Sequence, residues 1–348
     1  MNLARRKWIG DASSLTHLAV AVIAGIVGGL AVPAATAHGA EPAAFHWIDH
    51  PQQGYADLRS GNEPVLRYMY AFDTSSPQRR LETYKVYHHV FGPGTGKRIT
   101  KGPGGLYTHH RGLFVGWRTV KFDGKSLDFW HCKNNVRLRH IRFVSKTGDA
   151  RHGSMTARID WEDAEGRPVI AETRSLRVTR SANKSGRHDS WQIDWSTLLA
   201  SRRGMIKLDG DRQHAGFQFR AAQAVADSKG ARYIRPKGFP QQPRAYQVDD
   251  RKHPNEHVNL GWLAMTYLLD GTRYTVEYFE DPSLPKPSRY SERPYGRFGA
   301  FFQATITPSK PLAMRYRLRI TTGKAPSQHE IQHRYDTFVK DLKSKQKQ

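Results

Sequence analysis

The chain has 348 residues, with 55 lysines and arginines against 31 acidic residues, a formal charge of +24, and hydrophobic and aromatic fractions of 38% and 11%. Its one cysteine, Cys132, excludes an intramolecular disulfide and a cysteine-built zinc cage, so stability has to come from packing. The basic balance favours anionic partners, but the cationic residues are scattered along the whole chain instead of forming one stripe, which argues against nucleic acid and for an acidic glycan or simply a basic proteome.

In chain order, the first segment reads as an address. Arg5-Arg6-Lys7 precedes an apolar run from Leu18 to Val32, and Ala35-Thr36-Ala37 supplies the small-x-small pattern of a signal-peptidase site. Residues 1–37 are therefore expected to be an export signal, with an uncleaved anchor as the alternative. The arginine pair before Trp8-Ile9 points to the twin-arginine route. The mature chain would begin near His38, in the periplasm or outside the cell, with no membrane contact after cleavage.

From residue 65 onward the dominant period is two. Met155, Ala157, Ile159 and Trp161 alternate with Thr156, Arg158 and Asp160; Trp191, Ile193 and Trp195 do the same, as do Met314, Tyr316, Leu318 and Ile320. Such alternation puts one face on a core and the other in solvent, as in antiparallel strands. Asp123-Gly124, Glu165-Gly166, Asp209-Gly210 and Asp270-Gly271 supply hairpin turns between them. The pattern predicts an all-β protein of ten or more strands, a large antiparallel two-sheet sandwich occupying residues 38–348 as a single domain.

Gly92-Pro-Gly-Thr-Gly-Lys97 reads as a hairpin loop. Two proline-rich stretches, 229–257 and 281–294, are unsuited to central strands and could frame the mouth of a site. Only the tail reads as helix, over about 327–343, with Ser327 as N-cap, Glu330 three residues on, and Ile331, Tyr335, Phe338 and Leu342 on one face.

Chemistry concentrates between Gly102 and His131. If Tyr107 to Trp117 is a strand, His109 and Arg111 share one face and His110 takes the other; if Thr108-His109-His110 is a bend entering the strand, both histidines face a cleft, as a metal site would need. Asp128 and Trp130 are placed on one face, His131 opposite, a carboxylate beside an aromatic ring that suits a sugar. Further along, His214, Gly216, Gln218 and Arg220 form a polar face against Ala215, Phe217 and Phe219, and Tyr295 and Arg297 follow a proline-rich loop. There is no phosphate-binding Gly-Lys-Ser/Thr loop, His-Glu-x-x-His helix or Gly-x-Ser-x-Gly elbow. Glu172, Glu256 and Glu277 are carboxylate candidates that spacing does not join.

With these residues in view, the chain resembles the exported bacterial proteins called the PmoA family. The resemblance rests on His109-His110-Arg111-Gly112-Leu-Phe-Val-Gly-Trp117, Asp128-Phe-Trp130-His131, Gly216 to Arg220 and Tyr295-Gly-Arg297-Phe-Gly, and spans roughly residues 60–323. It implies a galactose-mutarotase-like sandwich connected with carbohydrate use. It does not imply a methane monooxygenase subunit, a multi-span membrane protein unlike this β-rich body.

The leading expectation is an exported carbohydrate-active hydrolase, lyase or epimerase acting on a sugar or uronate. His109, His110, His131 and His214 would transfer protons. Arg111 and Arg220 would hold a carboxylate or hydroxyl oxygens, Trp117 and Trp130 would stack on the ring, and Asp128, Gln218, Tyr295 and Arg297 would complete the wall. No cofactor and no metal ligand set are assigned. A non-catalytic glycan-binding module and a histidine-liganded metal enzyme are the alternatives.

Overall fold

The period-two stretches become long antiparallel strands. In the computed structural model, which describes residues 43–105, 107–182, 188–211, 213–241 and 254–346, the alternating segments lie within strands His152–Glu162, His188–Ser201 and Leu312–Thr322. The expected export signal lies outside the described residues, as does Pro243 within the first proline-rich stretch. From Pro42 onward the chain forms one contact unit.

Two eight-stranded sheets and a four-stranded sheet make up the body. The first sheet runs Phe45–His50, Tyr55–Ser60, Glu63–Met69, Tyr87–Val90, Leu113–Trp117, Ala215–Arg220, Arg297–Phe301 and Arg289–Arg293. The second runs Arg232–Ile234, Trp262–Leu269, Thr272–Glu280, Leu312–Thr322, His188–Ser201, Pro168–Ala182, His152–Glu162 and Arg137–Gly148. The small sheet pairs Ala304–Ile306, Ile206–Asp209, Thr119–Phe122 and Lys125–Leu127. Among the described residues the ladders between these strands are all antiparallel, with one isolated parallel bridge from Lys85 to Leu138, and the all-β sandwich expectation holds.

The core lies between the two large sheets, where Leu58, Leu66, Leu113, Val115 and Phe217 of the first meet Met155, Ile159, Ile193, Val276 and Leu318 of the second. Buried aliphatic and aromatic surface of this extent is the main source of stability, at about 25 cal/mol per Å² of apolar area removed from water. Asp123-Gly124, Glu165-Gly166 and Asp270-Gly271 sit in hairpin turns between strands. Gly92 to Lys97 is likewise a hairpin loop, closed by the Gly92 N–H donating to Lys97 O at 2.8 Å.

The second proline-rich stretch ends in Arg289–Arg293, an edge strand of the first sheet, where proline nearby does least damage to the ladder. The C-terminal helix spans Gln328–Gln346. Ser327 Oγ accepts from the Glu330 backbone N–H while Glu330 Oε2 accepts from the Ser327 N–H at 2.8 Å, the reciprocal cap its sequence predicts. Ile331, Phe338 and Leu342 then pack on Trp262, Ala264 and Phe279, on the outside of the second sheet. Among the described residues no helix is long and apolar enough to cross a membrane.

Candidate metal centre

The histidines of the site stand in turns, two of them leading into first-sheet strands and one following Lys125–Leu127 of the small sheet. Leu113–Trp117 begins only at Leu113, and the chain before it turns, with Tyr107 at φ 59° and the His110 N–H donating to Tyr107 O. The bend of the two sequence alternatives is therefore the one found, and the His109 and His110 rings lie 4.6 Å apart. Asp128 to His131 is likewise a turn and not a strand, so Asp128 pairs with His131 instead of sharing a face with Trp130. Gly116 makes room for it, since a Cβ there would lie 2.7 Å from Phe129 O. His214 ends a third turn, and beyond it Gly216 at φ +80° lets the strand press against Ala300 O.

Three turns thus deliver His109, His131 and His214 to one place. Their ring centroids are 4.6 Å (His109 to His131), 5.0 Å (His131 to His214) and 5.9 Å (His109 to His214) apart, and one nitrogen of each lies within 4.8 Å of the others. A cation bound by imidazoles at about 2.1 Å holds its nitrogens about 3.4 Å apart, so small side-chain rotations close the set. Residue spacing assigned no metal ligands; the fold gathers three.

Two of the three rings are already oriented. Asp128 Oδ2 accepts from His131 Nδ1 at 2.8 Å, and Asp211 Oδ1 accepts from His214 Nδ1 at 2.9 Å. Burial works to raise the Asp128 carboxyl, but hydrogen bonds from the His131 ring and backbone hold it below the usual carboxylate range. Burial is opposed at Asp211 in the same way, chiefly by the His214 ring, and its carboxyl is also held low. Ionised carboxylates only accept, so each Nδ1 is the donor and Nε2 is the nitrogen turned away from the carboxylate, the arrangement a metal-ligating histidine uses.

Burial also disfavours the charged form of His109, His110 and His214. Burial, and then the charge of Lys85, push His109 down to about 2. Burial, then Arg220, push His110 well below its ordinary value, and burial lowers His214 in spite of Asp211. Neutral imidazoles are ready ligands and poor reservoirs of protons at neutral pH, which alters the proton-transfer role expected of these three histidines.

Around the triad, His110 is 6% exposed and stacked 4.9 Å from Tyr107, whose ring lies 5.3 Å from Tyr295. Tyr107 is 41% exposed and offers the open aromatic face. Arg220 and Arg297 lie against Gln213, the residue before His214, each donating toward its carbonyl.

Several expected contacts are corrected. Trp117 is fully buried in the sandwich core, donating Nε1 to Phe302 O, and cannot stack on a sugar. Trp130 is also fully buried, packed on Phe114 and Tyr87; it floors the site beneath His214 and is no open platform. Arg111 turns to the backbone, donating to His110 O and Leu81 O with its cation near Tyr84 and Tyr87. Asp128 is spent on His131 and on the N–H groups of Trp130 and His131. Gln218 is buried and donates to Ala215 O in its own strand. Glu172 and Glu277 are bonded to Arg174 and Arg334 and form no catalytic carboxylate pair.

Two participants escaped the sequence reading. Asp211 carried a readable signal, because Asp128-x-x-His131 and Asp211-x-x-His214 share one spacing. The same spacing at Asp149-x-x-His152 makes an isolated hairpin turn, so convergence, not the motif, is what distinguishes the pair. Lys85 carried no signal. It is buried, donates Nζ to Trp130 O at 2.5 Å, and burial holds its pKa well down.

A family model described as "Family of unknown function (DUF6807)" matches residues 55–336. No curated protein matches the sequence. Among solved structures, the chain is similar to a heparinase III gene product, at 9% identity and TM-score 0.33 over 81% of this chain and 36% of that one. It is similar to a GH36 α-galactosidase from Geobacillus stearothermophilus at 10% and 0.33, over 80% and 40%. It is also similar to the Slr1438 protein from Synechocystis sp., at 10% and 0.32 over 81% and 98%. The chain thus spans about two fifths or less of the length of the first two, and at these TM-scores the likeness is one of outline.

Proposed function

The chain belongs to that family of unknown function, and from the site it carries we propose that it is a metal-dependent, carbohydrate-active enzyme, a hydrolase, lyase or epimerase working at a divalent cation held by His109, His131 and His214. One observation carries the reading: three imidazoles from three separate turns converge, and two of them are clamped through Nδ1 by carboxylates of their own turns. Core packing alone has no use for that arrangement, whereas a three-histidine centre with an open position does. A cation there would lower the pKa of a bound water toward about 7 and polarise a sugar oxygen.

The chain's own residues fill the remaining roles. Tyr107, exposed and beside Tyr295, presents the stacking face that the buried tryptophans do not. His110 is the one histidine of the four not needed as a ligand, and it is placed to accept a hydrogen bond from the substrate. Trp130 and Phe114 close the floor against water. Export through the segment 1–37, a periplasmic or extracellular setting and kinship with the PmoA-type proteins are parts of the same proposal.

The test is metal content followed by turnover. Full-length protein dialysed against Zn²⁺ and then against buffer should retain about one zinc per chain by elemental analysis, and His131→Ala should retain far less. The loaded protein should convert a member of an oligosaccharide panel, with conversion abolished by a chelator and restored by metal. Absence of stoichiometric binding of Zn²⁺, Mn²⁺ and Fe²⁺ alike would end the metal reading, and sugar binding without product would leave a glycan-binding module.

A further inference from the structure

Beside the three histidines stands a charge that the fold leaves unanswered. Arg220 and Arg297 face one another directly across neighbouring strands, and both are 1% exposed. Like charges placed opposite in a sheet are destabilising, and a buried guanidinium needs a carboxylate or several hydrogen bonds to offset its lost hydration. Two other buried arginines have a carboxylate, Arg174 with Glu172 and Arg235 with Glu292, and Arg111 has two backbone carbonyls. Arg297 donates to Ser291 Oγ at 2.7 Å and to Gln213 O at 3.3 Å.

Arg220 is different. Its Nη2 reaches Gln213 O at a marginal 3.5 Å, and its Nε and Nη1 have no partner among the described residues. The guanidinium carbon lies 5.4 Å from the centre of the Trp130 ring, and that ring lies 6.1 Å from His214. The cation also acts electrostatically on His109 and His110. An unpaired, desolvated arginine at the floor of a histidine cleft, made costlier by a second arginine opposite, is a site built for an anion that the protein itself does not supply.

We propose that Arg220, supported by Arg297, binds an oxyanion carried by the substrate, a carboxylate or a phosphate on the sugar, next to the three-histidine centre. The assignment rests on the functional reading above for what the anion belongs to. The guanidinium subsite itself does not need the metal. Charge also couples the two sites, since a dication on the histidines would repel Arg220 and Arg297 and an anion between them would relieve it. Metal and anion should therefore strengthen each other's binding by the same factor.

The experiment is calorimetric titration of the full-length chain, zinc-loaded and metal-stripped, with glucuronate, glucose 6-phosphate and glucose. The parent should bind at least one of the charged sugars ten or more times more tightly than glucose, and which one it prefers tells carboxylate from phosphate. Arg220→Met should erase that preference while leaving zinc binding intact. It should also melt no lower than the parent, since it removes a buried charge without a partner, and Arg220→Lys should keep part of the preference. Equal affinity of the parent for charged and neutral sugars would overturn the proposal, as would a preference that survives in Arg220→Met. A clear fall in the melting temperature of Arg220→Met would assign the arginine to packing instead. The two readings fail separately: preference for charged sugars in a protein that binds no metal would sink the metal centre alone, and zinc binding with no such preference would sink the anion subsite alone.

Discussion

Replacing Asp128 with asparagine isolates what the carboxylate does for the histidine it holds. Oδ1 accepts the backbone N–H groups of Trp130 and His131 at 2.9 and 2.8 Å, and Oδ2 accepts from His131 Nδ1 at 2.8 Å. Asparagine keeps the first oxygen, so the turn survives, but it puts an N–H donor where Oδ2 was. The imidazole must then accept through Nδ1 and carry its proton on Nε2, the atom the cation needs. Loss of such an outer-shell carboxylate costs about 10- to 100-fold in metal affinity, about 1.4–2.7 kcal/mol. Asp211→Asn should act in the same sense through His214 but nearer the lower figure, because Asp211 is 43% exposed against 21% for Asp128 and its field is better screened. The carboxylates hold different ligands, so the double variant should lose roughly the product of the two factors. Competition for Zn²⁺ against a chromogenic chelator measures this, with His131→Ala as the reference for a lost ligand. Zinc affinity of Asp128→Asn within about threefold of the parent, at an unchanged melting temperature, would refute the tautomer argument.

Other predictions concern the scaffold. His88 and His89 are 0% and 3% exposed between strands; burial pushes His88 well below its ordinary value and His89 to about 3. The unfolded chain therefore binds protons that the native state refuses, and stability should fall as pH drops below about 6.5, by about 2 kcal/mol per histidine at pH 5; His88→Leu should remove one histidine's share of that slope in urea titrations. Glu172→Ala leaves Arg174 unpaired inside the sandwich and also strips Trp161 Nε1 and Thr197 Oγ1 of their acceptor. It should cost about 3–5 kcal/mol by urea unfolding, whereas Glu172→Met with Arg174→Met should cost much less. Ser327→Ala removes the helix cap and should cost about 1 kcal/mol in the same assay.

The sandwich was legible because half-buried strands must alternate and because the hairpins announce themselves in Asp-Gly and Glu-Gly pairs. The capped helix was legible for a comparable reason: Ser327 and Glu330 satisfy each other locally, within four residues. The site was legible in part. All three clustered histidines were singled out, and the bend at Thr108 to His110 was one of two alternatives, but Asp128 to His131 was given a strand geometry that does not exist there. Alternation rules hold only where a ladder fixes the backbone, and these residues lie where the ladder stops. Tryptophan misled for a related reason, since Trp117 sits on the core face of a strand whose other face carries Phe114 and Gly116 toward the site. Arg111 next to two histidines looked like a ligand clamp, yet its carbonyl partners, Leu81 and His110, come from how the chain folds back and not from any local pattern.

Burial also explains why the site is polar in the way it is. In the second sheet the buried Arg174 is matched by Glu172, because an unmatched charge there would cost folding and return nothing. At the outer face of the first sheet the matching is incomplete on one side only: Asp128 and Asp211 are satisfied by histidines, while Arg220 stands without a carboxylate. The two carboxylates keep their charge but are turned to the histidines, so none of it is paired with Arg220, and a cation on His109, His131 and His214 would add positive charge beside that guanidinium. Such a site gains most from a ligand that brings its own negative charge, and it gains more when the metal is present than when it is not. The strongly basic composition of the chain would draw that ligand in from a distance, and Arg220 would decide which end of it meets the histidines.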